Sequence, residues 1–222
     1  MDLHNKNFKD QFYLVLTGIF IASLVASNLI FQKFFTWNFL GINFELSVGI
    51  IAYPVTFLVT DLISELYGQK RANQVVVSGF FASVFTTLLV LVSVNASAVE
   101  WSPIDDMTFT KVFGLTGPAF FASMVAYLTA QLIDVRIFHF WKRLTKGKHL
   151  WLRNNASTIF SQLVDTSVIL VILCLAGVIE WERFYGLWMM GWLFKVLVAL
   201  IDTPIIYGII YLLKGKIDIA KE

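Results

Sequence analysis

Asp61, Glu65, Asp134, Asp165 and Asp202, with the amides Gln131 and Gln162, all sit inside long apolar runs of this sequence. An aspartate at a helix centre in hydrocarbon costs about 2.5–3.5 kcal/mol on insertion scales. Side chains that bear such a cost face a bundle interior or a wet cavity, where they bind a polar solute, relay a proton or pair with a cation. Their spacing is helical. Asp61 and Glu65 are four apart and stack on one face. Gln131 and Asp134 are three apart, as are Gln162 and Asp165. Ser157, Ser161 and Asp165 continue one stripe, with Asn154 at its mouth, and Lys195 and Asp202 lie two turns apart on one face. A carboxylate accepts adjacent N–H donors, and an amide both donates and accepts, so the set suits a small polar, hydrogen-bonding solute.

Several of these residues carry two readings. Glu65 either pairs with Lys70 or Arg71 at a helix end or gates a passage there. Asp134 has Arg136 just beyond it, the spacing of a structural pair. Asp165 has no basic residue near it in its own helix, so it is protonated, paired across helices or open to a ligand. Lys195 either neutralises Asp165 or Asp202 as a structural bridge or supports binding and coupling. Tyr53-Pro54 and Thr203-Pro204 predict a kink or break in their helices, since proline removes a backbone donor. Gly18, Ala22 and Ala26 form a small-residue face for close helix packing, and Asn28 beyond it is too polar to be filler.

The elements that position these groups are transmembrane helices. The chain has 222 residues, 58% hydrophobic and 14% charged, with a mean hydropathy of +0.74. Soluble domains carry about 25% charged residues. A span needs roughly 20 apolar residues, and six stretches qualify: about 12–35, 46–67, 73–98, 118–140, 156–179 and 186–213. The fold class is therefore an all-α integral membrane protein, with residues 1–222 as a single transmembrane domain. The first run is too long for a signal-peptide core and reads as a retained span. Gly68, Gly117-Pro118, Lys146-Gly147-Lys148 and Gly215 punctuate the helix ends.

Basic residues alternate with the connections. Lys6 and Lys9, Lys70 and Arg71, then Lys142, Arg143, Lys146, Lys148 and Arg153, and finally Lys214, Lys216 and Lys221 fall on one side. The other connections hold Glu45; Glu100, Asp105 and Asp106 against Lys111; and Glu180 and Glu182 against Arg183. The positive-inside rule then places both termini in the cytoplasm. Between Val99 and Gly117, Asp105-Asp106 suits either a short interfacial helix over 105–114 or a plain loop. Residues 28–30 with Lys33 are echoed at 131–133 with Arg136, and Asp61 is echoed near Asp165, the pattern of a 3+3 inverted repeat. Such repeats place a site at their interface near the midplane.

Other function classes lack their signatures. A net charge of +2 with no basic face argues against nucleic acid. There is no GxxxxGK[ST] loop, no HExxH, no GxSxG and no Cys/His cluster, so neither a catalytic residue nor a metal or cofactor is expected. His4, His139 and His149 fall at or beyond one interface, and the lone Cys174 reads as a buried structural thiol.

The run Tyr53-Pro54-x-x-Phe57-x-x-Thr60-Asp61-x-Ile63-x-Glu65-x-Tyr67-Gly68, then Arg71-Ala72, resembles the queuosine precursor transporter family (YhhQ-type, vitamin-uptake-transporter-like). So do Ala130-Gln131-x-x-Asp134, Arg153-Asn154-x-x-Ser157-Thr158, Ser161-Gln162-x-x-Asp165-Thr166, and Lys195 leading to Asp202-Thr203-Pro204. The resemblance spans essentially the whole chain. It implies a six-helix importer of the bacterial inner (cytoplasmic) membrane for a 7-deazapurine, typically 7-cyano-7-deazaguanine. Asp61, Gln131, Gln162 and Asp165 would recognise the base, and Glu65, Asp134, Asn154, Lys195 and Asp202 would support or couple. Phe57, Tyr127 and Trp192 are stacking candidates. The expected partners are that solute and the lipid bilayer, and a homo-oligomer stays open. A membrane-embedded enzyme acting on lipid or peptide, and a substrate-capture subunit of an energising complex, remain the alternative readings.

Overall fold

The computed structural model describes residues 3–39, 41–114 and 117–213, so Lys214, Gly215, Lys216 and Lys221 lie outside the described residues. The order is α1 (Leu3–Ile30), β1 (Phe34–Phe39), β2 (Ile42–Ser47), a 3₁₀ turn (Val48–Ile51), α2 (Tyr53–Tyr67), α3 (Gln69–Val94), α4 (Asp106–Phe113), α5 (Gly117–Leu144), α6 (Leu150–Leu175) and α7 (Trp181–Leu213). Six of these helical stretches are long and apolar enough to cross a membrane, with the second running from the 3₁₀ turn through α2. The chain is a multi-pass membrane protein. Its outer faces carry Leu14, Phe81, Phe85, Val92, Leu200 and Tyr211 half or more exposed. Lipid tails solvate such a surface, while each helix satisfies its own backbone.

The second span is the most enclosed and forms the hub. Its residues from Thr56 to Leu66 are buried almost without interruption. Helix α1 packs on it through Leu16, Phe20 and Leu24, and α3 through Ala72, Val75 and Val76. Two glycines allow the closest approaches. A Cβ at Gly79 would lie 2.6 Å from the Phe20 ring and 2.9 Å from the Tyr127 hydroxyl. A Cβ at Gly49 would lie 2.8 Å from the Ser27 carbonyl oxygen.

Two local expectations change and one takes a definite form. The first span ends at Ile30 rather than near residue 35, because residues 34–47 fold into an antiparallel hairpin, Phe34 opposite Ser47 and Phe39 opposite Ile42. The aromatic run fits a pleated, half-buried strand, and Gly41 at φ +81° serves the tight turn. Phe44 and Trp37 then pack edge-on against Phe194 of α7, with centroids 6.1 and 5.5 Å away. Second, the break expected at Tyr53-Pro54 takes the form of a fresh helix start: the 3₁₀ turn ends at Ile51, and Pro54 sits in the first turn of α2, where its missing N–H is no loss. Third, Pro204 does not break α7, which runs on through it. Beside it, Thr203 Oγ1 donates to the Ala199 carbonyl, and Asn155 Nδ2 donates to Thr203 Oγ1 at 2.7 Å. The choice at 105–114 resolves as helix. Asp105 caps α4, accepting from the Thr108 N–H at 2.6 Å. Cys174 is buried and free.

Candidate functional site

The in-membrane polar residues gather where α2, α5, α6 and α7 meet, in three layers. At the end carrying the basic connections, Glu65 of α2 binds Arg153 of α6 at 2.6 Å and faces Lys142 of α5 at 3.5 Å. Lys142 also donates to the Ser64 and Glu65 carbonyls, and Arg153 Nη1 to the Gly147 and Lys148 carbonyls at 3.0 Å each. The guanidinium stacks over Phe138, 5.6 Å from the ring centre. Glu65 thus pairs with cations from two other helices rather than with Lys70 or Arg71, whose spacing along the sequence suggested them. All three side chains are buried.

The middle layer holds Asp61 and Asp134. Both are buried, and both meet the same face of α6, at hydroxyls one turn apart. Helix α6 supplies a hydroxyl to each: Thr158 to Asp61 Oδ2 at 3.3 Å and Ser161 to Asp134 Oδ1 at 2.9 Å. Gln131 sits beside this layer and clamps α5 to α2, donating to Thr56 Oγ1 at 3.2 Å and accepting from Thr60 Oγ1 at 3.3 Å.

The outer layer is a second ion pair. Lys195 of α7 reaches Asp165 Oδ2 of α6 at 2.5 Å and Thr166 Oγ1 at 3.1 Å. Tyr53 of α2 donates its hydroxyl to Asp165 Oδ1 at 2.9 Å, and its ring lies 5.4 Å under the ammonium. Both oxygens of Asp165 are therefore engaged across helices. Of its three readings, the paired one is what the fold presents.

Between the middle and outer layers lies a cavity of about 20 Å³. Tyr53, Pro54 and Phe57 of α2, Thr158 and Gln162 of α6, and Lys195 and Asp202 of α7 line it. That is room for about one water. Gln162 Oε1 is buried there and receives no hydrogen bond among the described residues. Phe57 meets Tyr53 edge-on at 5.6 Å. A larger hollow of about 480 Å³ opens elsewhere, between α1 and the α2–α3 corner. It is lined by Lys9, Asp10, Tyr13 and Arg71, among others, and contains none of the predicted site residues.

The predicted set thus divides. Gln162, Asp202, Lys195 and Phe57 line the cavity directly. Asp165 and Asp61 touch it through Tyr53, Lys195 and Thr158. Gln131 and Asp134 stand behind α2 and α6. Asn154 is turned toward Thr203 at 3.3 Å. Two of the stacking candidates are elsewhere. Tyr127 is buried against Phe20 and donates to the Val76 carbonyl at 2.7 Å. Trp192 stacks on Trp188 and donates to the Ile159 carbonyl at 3.1 Å, pinning α7 to α6. Tyr53 is the lining aromatic that sequence reasoning missed. Its neighbour Pro54 had drawn attention as a helix breaker, while its i+4 relation to Phe57 was the available signal.

A family profile described as "Putative vitamin uptake transporter" matches residues 47–209 of this chain. The chain belongs to that transporter family. The matched residues contain all three layers of the transporter's polar core. Among curated relatives, a "Probable queuosine precursor transporter" of Bacillus subtilis (strain 168) is 29% identical over 167 residues, covering 73% of this chain and 70% of the relative. One of the same name from Haemophilus influenzae is 27% identical over 172 residues, covering 76% and 69%. The "Queuosine precursor transporter" of Escherichia coli (strain K12) is 24% identical over 209 residues, covering 92% and 88%. No solved structure matches the transporter. The family is one of transporters, not enzymes, which removes the membrane-enzyme alternative.

Proposed function

We propose that this transporter imports a queuosine precursor, 7-cyano-7-deazaguanine or a related 7-deazaguanine, across the bacterial inner membrane, with both termini in the cytoplasm. The observation that carries the reading is the cavity shared by α2, α6 and α7, where flat aromatic faces and hydrogen-bonding side chains converge. A guanine-like base presents two adjacent N–H donors beside a carbonyl acceptor. Asp202 has the acceptor pair for the donors. Gln162 carries a buried, unbonded acceptor and an amide N–H₂ for the rest of the ring edge. Tyr53 and Phe57 offer faces for the ring. The Lys195–Asp165 pair beside them fixes Tyr53 and keeps the wall polar without adding net charge.

A cavity that holds about one water is too small for a purine, so the conformation is a closed one. Admitting the base requires α7 with α6 to move away from α2, as alternating access at a midplane site demands. The Glu65–Arg153–Lys142 layer would close the cytoplasmic side. The names of the three relatives support the same solute class.

Uptake in a bacterial strain unable to make the precursor tests this. At limiting external 7-cyano-7-deazaguanine, expression of the chain should restore queuosine in tRNA. Asp202→Asn and Gln162→Ala should abolish the gain at equal membrane abundance. No gain with the wild-type chain sinks the importer reading, and normal uptake by both variants removes the cavity from it. Uptake by the purified chain alone in liposomes excludes a capture subunit.

A further inference from the structure

The polar core holds more acid than its bases neutralise. Its acids are Asp61, Glu65, Asp134, Asp165 and Asp202; its lysines and arginines are Lys142, Arg153 and Lys195. All three cations are committed, Lys142 and Arg153 to Glu65 and Lys195 to Asp165. The Asp61–Asp134 pair is left without a lysine or arginine partner among the described residues. Two facing carboxylates cannot both stay ionised in such a place without a cation between them.

The hydrogen bonds point to what that cation is. Each carboxyl accepts one hydroxyl from α6 on one oxygen. On each, the other oxygen is buried and receives no donor: Asp61 Oδ1 and Asp134 Oδ2. One shared proton would supply the missing donor to one acid and the missing acceptor to the other.

We infer that Asp61 and Asp134 hold one proton between them and that this proton is carried inward with the solute. The inference rests on the importer reading for its coupling half only. The placement serves such coupling. Thr158 lines the cavity and donates to Asp61, so a bound base and the acid pair share one hydroxyl. Other titratable groups stand near the pair. Asp202 of α7 lines the same cavity as Thr158, which bonds Asp61. Glu65 lies one turn along α2 with Arg153 and Lys142 attached, and His139 of α5 is buried against Phe138. When the pair opens to the cytoplasm it releases its proton to water as a dianion. When it opens outward it takes one from water, so one proton crosses per cycle.

Infrared spectroscopy of the purified chain tests the shared proton without any solute. At neutral pH the wild type should show the carbonyl stretch of a protonated, buried carboxylic acid. Asp61→Asn and Asp134→Asn should each lose it, and Asp202→Asn should keep it. Absence of the band in the wild type, or its loss only in Asp202→Asn, overturns the inference. So does saturable binding of sodium that the two asparagine variants abolish.

Transport in liposomes tests the coupling. With one proton per solute, a gradient of one pH unit supports about tenfold accumulation of labelled 7-cyano-7-deazaguanine. Asparagine mimics the protonated acid, so both variants should still exchange labelled for unlabelled solute while accumulation falls to the equilibrated level. Wild-type exchange that ignores the gradient overturns coupling. Absence of any exchange would instead overturn the importer reading and leave the infrared result standing.

Discussion

Replacing Arg153 with methionine probes the layer that ties α2, α5 and α6 together. The guanidinium is 1% exposed, bonds Glu65 at 2.6 Å and lies over the Phe138 ring. Removing one partner of a buried pair costs about 3–5 kcal/mol, because a charge is left behind without compensation. Here the low end applies, since Lys142 stays 3.5 Å from Glu65 and methionine refills the apolar space of the stem. The Gly147 and Lys148 carbonyls lie in the α5–α6 connection, where water can replace the lost donor. For a chain of this size, about 3 kcal/mol lowers the unfolding midpoint by about 6–12 °C. Thermal unfolding of the purified chain in mild detergent reads this directly. Adding both Glu65→Gln and Lys142→Met to Arg153→Met removes all three charges of the layer and should bring stability back to within about 1 kcal/mol of wild type. A drop under about 2 °C in the single variant refutes the reasoning. A triple variant as unstable as the sum of its singles does so too.

Gln131→Leu removes a clamp that makes two hydrogen bonds but does not line the cavity between α2, α6 and α7, so it should cost about 1 kcal/mol of stability and leave the KM for uptake unchanged; a large rise in KM would mean that Gln131 touches the solute. Gly79→Ala forces a methyl against Phe20 and Tyr127 and should destabilise by about 1–3 kcal/mol in the same unfolding assay, wild-type stability being the contrary result. Asp105 is held below the ordinary aspartate value of 3.8 by hydrogen bonds from the Thr108 hydroxyl and backbone N–H. Its folded value is the lower one, so the cap stabilises α4 fully above the ordinary value and is lost as pH falls through the depressed one. Hydrogen exchange at the Thr108 amide should accelerate relative to neighbouring helical amides only in that acid window, and Asp105→Ala should abolish the difference.

Much of the molecule was legible in its sequence. Twenty apolar residues in a row have one stable environment, so the six spans follow from length and composition, with ends displaced by a few residues. The cost of a charge in hydrocarbon singled out the acids and amides that now form one core between α2, α5, α6 and α7. The hairpin was hidden because an aromatic run next to a span has the same hydropathy as the span. Strand pairing depends on a register between residues that only the turn at Gly41 brings together. The break at Pro54 was legible because proline's local effect is known, whereas α7 runs on through Pro204, which the same local rule did not show.

Which partner each buried charge takes was decided by tertiary structure alone. Helical spacing shows that Asp61 and Glu65 share a face, but Arg153 and Lys142 reach Glu65 from two other helices across a stretch that sequence separation does not encode. The same holds for Lys195, Tyr53 and Asp165. Those choices leave Asp61 and Asp134 together without a lysine or arginine partner among the described residues and turn Gln162 and Asp202 toward a common cavity. Sequence determined which groups must leave the lipid; the packing of α2 against α5, α6 and α7 decided which of them neutralise each other and which remain free to act.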